Sequence, residues 1–386
     1  MPGWRAGREP TRSAPIRSIP SSCPAWWPVW SVPPRRCEVA PVAQKTWPDL
    51  LTDLVNGHDL DRERSIWAMD QVLSGDLSAV QVAGFAVALR AKGETVEELS
   101  GLAEGMLGRA TPLELDRETV DIVGTGGDRA NTVNISTMAA IVASGAGARV
   151  VKHGNRAASS ACGTADCLEA LGVKLSLDPK DQAGVLDAAH IVFLFAPLYH
   201  ASLRFAGPAR KELGIQTTFN LLGPLTNPAR PRADAIGIAD ARMAPLVAGV
   251  LTDRGSRGLV FHGGDGLDEL TTTTDSQIWL FNEGRCVRTS LDPADLGIPR
   301  AEPHDLVGGD PAHNAQVVRD VLDGATGPVR DIVLLNAAAA LLAYDGPDVD
   351  APLVDQLAPR LDRAAAAIDS GKAREQLARW IEVTAG

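Results

Sequence analysis

The sequence has few cysteines, an excess of acidic over basic residues and no long apolar run, and each shortage excludes a class of protein. Its five cysteines form no Cys-x-x-Cys pair, which argues against a disulfide framework and a zinc site and favours the cytoplasm. Arg, Asp, Gly or Pro interrupts every apolar run before it reaches the length of a membrane span. The net charge of −11 opposes non-specific binding to nucleic acid or to an anionic membrane. We therefore expect no membrane and no nucleic-acid partner.

Residues 1–44 differ in composition from the rest of the chain. They hold nine of the 26 prolines, four of the eight tryptophans and six arginines, and no lysine. Six Arg against two Glu give this segment +4, so the remaining chain carries −15. Because prolines interrupt each candidate apolar stretch, a secretory signal is disfavoured. We expect a disordered extension; a transit peptide is the alternative, although the segment lacks an amphipathic helical period.

Residues 47–110 have a helical pattern. Apolar residues recur at helical spacing in two stretches, Ile66, Met69, Val72 and Leu73, then Val82, Phe85, Ala86 and Leu89. Thr95 followed by Glu98 is a capping box, which predicts the start of a third helix. This part of the chain is expected to be a small all-helical domain.

After Pro112 the pattern changes to short apolar runs that end in glycine-rich turns. These runs are residues 120–123, 149–152, 191–195, 235–238 and 259–261. Helix-length segments separate them, which predicts a mostly parallel central sheet flanked by helices. Residues 277–281 and 286–289 indicate an edge hairpin, and 332–344 and 354–369 closing helices.

The predicted fold class is therefore α/β, with 386 residues enough for two domains. A small all-helical domain is expected to take residues 45–112 and to be completed by about residues 200–225. A larger α/β domain is expected to take residues 113–199 and 226–386.

A glycine-rich turn, Gly124-Thr125-Gly126-Gly127-Asp128, follows the first predicted strand. Asn134-Ile135-Ser136 then precedes an apolar helix. Glycines let backbone N–H groups converge on phosphate oxygens, and a helix N-terminus adds free donors. The turn matches neither a Walker A motif nor a dinucleotide fingerprint. It predicts an anion-binding cradle; a tight structural turn is the alternative.

A second turn, Lys152-His153-Gly154-Asn155-Arg156, follows the next strand and should emerge in the same crevice. Its two cations suit a polyphosphate. The alternatives are a solvated basic turn and a histidine satisfied in the core. Ser159 and Ser160 precede residues 163–172, a helix entry that could offer further donors to phosphate. Cys162 and Cys167 are expected to be buried, unreactive small residues.

Asp268 and Glu269 lie on a third glycine-rich loop, which starts at Gly263. Carboxylates beside a phosphate site suit Mg²⁺, which takes one or two protein carboxylates together with substrate oxygens. The alternative is a solvated acid pair. A glycosidase pair is disfavoured because neighbouring residues on one loop rarely face each other across a bond.

Arg204 and Arg210 lie on a predicted helix ahead of a Pro-rich connection. Either guanidinium could fork onto a substrate carboxylate. A surface salt bridge is the alternative for each.

Four motifs together resemble those of the anthranilate phosphoribosyltransferases, in order and spacing, from about Trp47 to the C-terminus. They are Gly-Thr-Gly-Gly-Asp at 124–128, Lys-His-Gly-Asn-Arg at 152–156, Gly-x-Ala-Asp-x-Leu-Glu-Ala-Leu-Gly at 163–172 and Phe-Asn-Leu-Leu-Gly-Pro-Leu-Thr-Asn-Pro at 219–228. The resemblance implies Mg²⁺-dependent transfer of the 5-phosphoribosyl group from phosphoribosyl pyrophosphate to anthranilate, in tryptophan biosynthesis. It also implies a homodimer formed through the helical domains and a hinge that closes the site. It leaves open an association with a glutamine amidotransferase subunit of anthranilate synthase.

The resemblance assigns site residues position by position. It places phosphoribosyl pyrophosphate on Gly124, Gly126, Gly127, Asp128, Thr132, Asn134, Ser136, Thr137, Lys152, Asn155, Ala158, Ser159 and Ser160. It places anthranilate beside Gly124, His153, Asn155, Tyr199, His200 and Arg210, and Mg²⁺ on Ser136, Asp268 and Glu269. Lys152 would stabilise the leaving group, with no essential acid or base. The sequence departs from the family at Ala201, usually proline, and at Arg129, usually glycine.

Two other functions are compatible with the same fold. A pyrimidine nucleoside phosphorylase shares the Lys-His start of the second turn, but Gly-Asn-Arg after His153 differs from the Ser-Thr-Gly-Gly run of those enzymes. A non-catalytic nucleic-acid-binding relative is opposed by the −15 charge and by the presence of Asp268 and Glu269.

Overall fold

The computed structural model describes residues 46–157 and 161–385. Its helices are α1 Trp47–Val55, α2 Arg62–Ser74, α3 Ala79–Lys92, α4 Val96–Gly108, α5 Ile135–Gly145, α6 Thr164–Leu171, α7 Gln182–Ala189, α8 Ala196–Tyr199, α9 Gly207–Leu213, α10 Leu222–Leu225, α11 Ala244–Asp253, α12 Pro311–Leu322, α13 Pro328–Asp345, α14 Leu353–Asp369 and α15 Lys372–Ala385. Its strands are β1 Val120–Gly124, β2 Val150–Gly154, β3 Ile191–Phe195, β4 Ala233–Gly237, β5 Arg257–Gly263, β6 Ser276–Asn282 and β7 Arg285–Leu291. The extension predicted at 1–44 lies outside the described residues.

The N-terminal bundle contains four helices, not the three that the apolar spacing indicated. The additional helix is α1, a nine-residue helix with Pro48 in its first turn and Thr46 as its N-cap. Thr95 and Glu98 form the predicted capping box at the start of α4. Ser78 and Gln81 form a second one at the start of α3, so side chains pair the free N–H groups at both helix starts.

The sheet has seven strands in the order β3-β2-β1-β4-β5-β6-β7. Strands β1 to β5 are parallel, and β6 and β7 add an antiparallel hairpin at one edge, as predicted. Glu283 and Gly284, between β6 and β7, both have positive φ, 49° and 73°, as a two-residue hairpin turn requires. The five predicted parallel strands agree with the structure within two residues at each end.

The two faces of the sheet contribute to different hydrophobic cores. One face, which includes Ile122 and Leu259, packs with α5 and the almost entirely buried α13. The other face, which includes Ile236 and Val260, shares its core with α11 and the helical bundle. Helices α11 and α4 approach closely at Gly249, where an added Cβ would lie 2.8 Å from a Val96 methyl group. The confirmed fold is thus a helical bundle packed against a mostly parallel α/β sheet.

None of the helices in the described ranges combines the length and apolar character that crossing a membrane requires.

Candidate active site

The glycine-rich turn after β1 is shaped by its contacts with a second loop. Gly126 and Gly127 have φ of 70° and 89°, a backbone conformation that costs glycine little. The Gly126 N–H donates to Asp268 Oδ2 at 2.6 Å. An added Cβ at Gly124 would lie 2.0 Å from the same oxygen, and one at Gly127 would lie 2.0 Å from Gln216 Nε2. Any side chain larger than hydrogen is therefore excluded at Gly124 and at Gly127.

The rim of this turn keeps a left-handed backbone at Arg129. The φ of Arg129 is 64°, in the left-handed region that glycine adopts most easily. This backbone conformation costs an arginine about 1–2 kcal/mol. Thr132 is next to this rim and pairs with Val307 in an isolated bridge. The departure at Arg129 therefore leaves the turn folded.

Helix α5 begins directly behind the turn without a side-chain cap. Its N-cap, Asn134, makes no side-chain cap hydrogen bond; its Oδ1 instead accepts from Asn314 Nδ2 at 2.8 Å. The buried Thr137 hydroxyl has no hydrogen-bond partner among the described residues. An eleven-residue helix with an uncapped N-terminus presents N–H groups and a positive dipole end to an anion.

Lys152 places a buried ammonium group between this helix and the carboxylates. Its side chain is buried, and its Nζ donates to the Ile122 carbonyl and, at 3.2 Å, to Ser136 Oγ. Burial lowers the pKa of Lys152 to about 8, against the opposing effect of Asp121, Glu269 and Asp268. The group is therefore charged in most molecules at neutral pH.

Three carboxylates meet opposite Lys152. One carboxylate oxygen from each of Asp128, Asp268 and Glu269 lies within 4.8 Å of the other two. Asp268 and Glu269 are buried. Burial, and after it the nearby charge of Asp128, raise the pKa of Asp268 to about 7. Burial and Asp268 raise the pKa of Glu269 well above its ordinary value, and its Oε2 has no partner among the described residues. Such a crowded set of hard oxygen atoms fits a divalent cation.

Two histidines line the connection between α10 and β4. His153 Nδ1 lies 3.1 Å from the Gly223 carbonyl, and His200 Nε2 lies 2.8 Å from the Thr226 carbonyl. Because a carbonyl oxygen only accepts, each of these nitrogens carries the proton. The other ring nitrogens, His153 Nε2 and His200 Nδ1, are buried without a partner among the described residues. Burial lowers the pKa of His153 to about 3 and also lowers that of His200.

Arg210 on α9 is half-buried, and its guanidinium makes no hydrogen bond or ion pair with any described residue. Burial lowers the pKa of its guanidinium. Arg204 is exposed and lies over the Phe205 ring at 4.8 Å. The alternative of a surface salt bridge therefore fails for both arginines within the described ranges.

Comparison with known proteins identifies the family. Residues 48–110 match the helical bundle domain, and residues 116–374 the a/b domain, of the glycosyl transferase family. The anthranilate phosphoribosyltransferase of Thermobifida fusca is 57% identical over 341 residues, which cover 88% of this chain and 97% of that protein. The chain belongs to the anthranilate phosphoribosyltransferase family. The enzyme of Streptomyces griseus is also 57% identical, over 88% of this chain and 96% of its own.

Solved structures of anthranilate phosphoribosyltransferases share the fold. The enzyme of Thermus thermophilus superposes with a TM-score of 0.81 at 38% identity, covering 88% of this chain and 100% of that one. The Saccharomyces cerevisiae enzyme, in complex with PRPP and Mg, gives a TM-score of 0.79 at 27% identity, covering 88% and 98%.

The structure gathers most of the residues that the family resemblance assigned. Gly124, Gly126, Gly127, Asp128, Asn134, Ser136, Thr137, Lys152, Asp268 and Glu269 lie on the turn after β1, the start of α5, the end of β2 and the loop after β5. Thr132 lies on the rim, and Asn155 is exposed just beyond β2. Ala158, Ser159 and Ser160 lie outside the described residues.

One residue, Arg156, differs from the expectation, and another, Tyr199, is more buried than a ligand contact suggests. Arg156 is not a second free cation at the cradle, because it pairs with Asp166 at 2.8 Å and with Glu169 at 2.6 Å. Tyr199, assigned to anthranilate, is only 1% exposed and belongs to the α/β core. His153, assigned to the same substrate, is also buried, at 3% exposed. His200 is buried beside it, next to Ala201, which begins a short 3₁₀ turn.

Sequence reasoning missed three polar residues that shape the site. Asn314 on α12 holds Asn134, Gln216 Nε2 donates to the Gly127 carbonyl at 3.0 Å, and Asn227 bridges β1 and β2. Asn227 lay within a recognised motif, whereas Asn314 and Gln216 gave no local signal. Cys162 and Cys167 are buried, as expected.

Proposed function

We propose that this protein transfers the 5-phosphoribosyl group of phosphoribosyl pyrophosphate to the amine of anthranilate, with release of pyrophosphate, and requires Mg²⁺. The observation that carries this proposal is the joint position of the glycine-rich turn, the Asp128–Asp268–Glu269 cluster and Lys152. In this proposal the polyphosphate and metal sites share one crevice. The chain is 57% identical to two anthranilate phosphoribosyltransferases.

The phosphoribosyl pyrophosphate would bind with its pyrophosphate among groups that stabilise negative charge. The N–H groups of the turn and of the first turn of α5, with Thr132, Asn134, Thr137 and Asn155, face the phosphates in this proposal. Ser136, Asp268 and Glu269 would hold Mg²⁺, with Asp128 beside them. The metal neutralises the pyrophosphate oxygens and so improves the leaving group.

Lys152 supplies the protein's own share of leaving-group stabilisation. Its ammonium is fixed by Ile122 and Ser136, so no reorganisation is needed as charge develops on pyrophosphate. Departure of pyrophosphate leaves positive character on the ribose, and the acceptor amine must then lie in line. The aromatic amine is neutral near pH 7, so we propose that the chain needs no general base and forms no covalent intermediate.

The acceptor is positioned by Arg210 and the histidine pair. A half-buried guanidinium without a protein carboxylate fits the carboxylate of anthranilate. Neutral imidazoles at His153 and His200 offer a ring surface and two lone pairs without adding charge. Gly124 and Asn155 would border the same subsite.

The decisive experiment follows the loss of anthranilate fluorescence when purified protein is mixed with phosphoribosyl pyrophosphate, with Mg²⁺ or with EDTA. We expect decay that needs Mg²⁺. Thymidine plus phosphate, run in parallel, tests the nucleoside phosphorylase alternative, and retention on DNA tests the binding-protein alternative. Thymine release without anthranilate decay would refute the substrate assignment but not the fold.

We further propose a cytoplasmic homodimer formed through the helical domain, residues 45–112 with about 200–225. Helix α3 presents an exposed stripe of Val80, Gly84 and Val87, and Val80 is 81% exposed. Such an apolar stripe suits a second copy of the chain. Light scattering during size exclusion should give twice the mass of the chain, and Val80→Glu should halve it. Adding a glutamine amidotransferase subunit to the same column tests that association.

A further inference from the structure

The pairing of β1 with β2 stops unusually early. These strands share one registered pair, Val120 with Val150, although β1 pairs with β4 over five residues and β2 with β3 over five. The glycine-rich turn and the Lys152 turn leave the sheet from these two strands. The crevice between the two turns therefore begins as a gap in the main-chain hydrogen-bond ladder between β1 and β2.

Side chains occupy the main-chain groups that further pairing would use. The His153 N–H donates to Asp121 Oδ1 at 3.2 Å, and the Val151 carbonyl accepts from Asn227 Nδ2 at 2.8 Å. The Ile122 carbonyl accepts from Lys152. Because buried main-chain groups must be paired, these side chains take the place of the missing ladder bonds.

Asp121 and Asn227 form one buried unit. Asn227 Nδ2 also donates to Asp121 Oδ2 at 2.8 Å, and its Oδ1 accepts from the Ala229 N–H at 2.9 Å. Asp121 is fully buried and Asn227 almost so. Since Asn227 lies in the connection from α10 to β4, the unit ties β1, β2 and that connection together.

We propose that Asp121 and Asn227 are positioning residues that hold the carboxyl ends of β1 and β2 apart and so set the spacing between the glycine-rich turn and Lys152. The inference rests on the proposed function for its kinetic consequence, because Lys152 must face the pyrophosphate held by the turn. Neither residue touches a substrate in this proposal. Their effect passes through the main chain of Val151 and His153.

Asp234 provides a matched control. It is opposite Asp121 in the β1–β4 register and is also a buried carboxylate close enough to feel the charge of Asp121, but its side-chain hydrogen bond goes to Ser256, ahead of β5, and not to β2. Asp234→Asn therefore changes the same kind of group in the same part of the sheet without touching the gap.

The first test is structural and does not depend on turnover. Crystal structures of Asp121→Ala and Asn227→Ala are expected to show a new Ile122–Lys152 pair and displacement of Lys152 Nζ. Where Asp121→Ala fails to fold, Asn227→Ala decides alone, because it removes only the bridging amide. An unchanged single-pair register in Asn227→Ala would overturn the inference.

The second test is kinetic. Asn227→Asp sets two carboxylates against each other and should lower kcat/KM for phosphoribosyl pyrophosphate about 10- to 100-fold, measured well below the melting temperature. The exchange Asp121→Asn with Asn227→Asp restores one donor–acceptor contact and should recover most of that loss. Asp234→Asn should stay within about twofold of the parent chain.

The outcomes separate this inference from the proposed function. Equal losses for Asp234→Asn and Asn227→Asp, or losses that only follow the folded fraction, would overturn the positioning role. A parent chain that does not turn over anthranilate would refute the proposed function, while the crystal structures would still decide whether Asp121 and Asn227 keep the strands apart.

Discussion

The imidazole rings of His153 and His200 lie edge to face, with centroids 5.3 Å apart, and each directs one N–H to a nearby main-chain carbonyl, that of Gly223 in α10 or of Thr226 directly after it. The same segment continues to Asn227, in the connection from α10 to β4. One segment thus fixes the tautomers of both rings and braces the gap between β1 and β2.

The histidine pair is expected to stay neutral throughout the working pH range. Burial lowers the pKa of His153 from 6.5 to about 3. Between these pH values the unfolded chain is protonated at His153 and the folded chain is not. The free energy of unfolding should therefore fall as the pH drops from 6.5 towards 3. The pH profile of kcat/KM should show no titration of His153 near 6.5. Nitrogen-15 NMR, assigned with His153→Asn, should show the Nδ1–H tautomer; an Nε2–H signal would contradict it.

Arg210→Ala should raise the KM for anthranilate about 10- to 100-fold, because a charge-assisted pair with the acceptor carboxylate is lost. The KM for phosphoribosyl pyrophosphate should change far less. Arg204→Ala is the control, since Arg204 is exposed and only covers Phe205. Equal increases for both substrates would refute the role of Arg210.

Magnesium should stabilise the protein more at pH 8 than at pH 5.5, because these two values lie on either side of the Asp268 pKa of about 7. Burial raises the pKa of Asp268 from 3.8 to about 7, so the metal-free fold loses stability as pH rises between these values. A cation binds the ionised carboxylates and reverses the loss. Scanning fluorimetry with Mg²⁺ or EDTA at both pH values measures the change in melting temperature.

Asp268→Asn is the matching substitution for that measurement. It should abolish the Mg²⁺-dependent rise in melting temperature and lower kcat/KM at least about 100-fold. Asp275→Asn, an exposed change on the same loop that breaks only a pair with Arg300, should keep both. A full Mg²⁺ response in Asp268→Asn would show that the cation binds elsewhere.

Gly124→Ala should cost about 1–3 kcal/mol and most of the activity, because the new methyl group would lie 2.0 Å from Asp268 Oδ2. Gly184→Ala on α7 adds the same atom into open space and should be neutral or stabilising. Chemical denaturation and the fluorescence assay compare the two. Normal activity in Gly124→Ala would mean that Asp268 is free to move.

Local patterns predicted the fold well, because strands β1 to β5 are short apolar runs with glycine turns and α4 begins with Thr95 and Glu98. Helices α12 and α15 were missed, although each has apolar residues at helical spacing: Ala315, Val318 and Leu322 in α12, and Ala373, Leu377 and Trp380 in α15. The polar residues between them weaken the local signal, and the contacts that bury these faces come from distant parts of the chain.

The site was predicted less completely than the fold. Motifs next to strands identified the cradle, Lys152 and the loop of Asp268. Contacts between distant segments could not be read in the same way: Asn314 on Asn134, Gln216 on Gly127, and Arg156 on the carboxylates of α6. Each depends on a side-chain direction that spacing along the chain does not determine.

The loop of Asp268 rests directly on the ends of two strands. An added Cβ at Gly237 would lie 1.6 Å from the Asp268 carbonyl, just as one at Gly124 would meet its carboxylate. One aspartate thereby restricts residue choice on both β1 and β4. A larger residue at either position would require the carboxylate loop to move away from the ends of both strands.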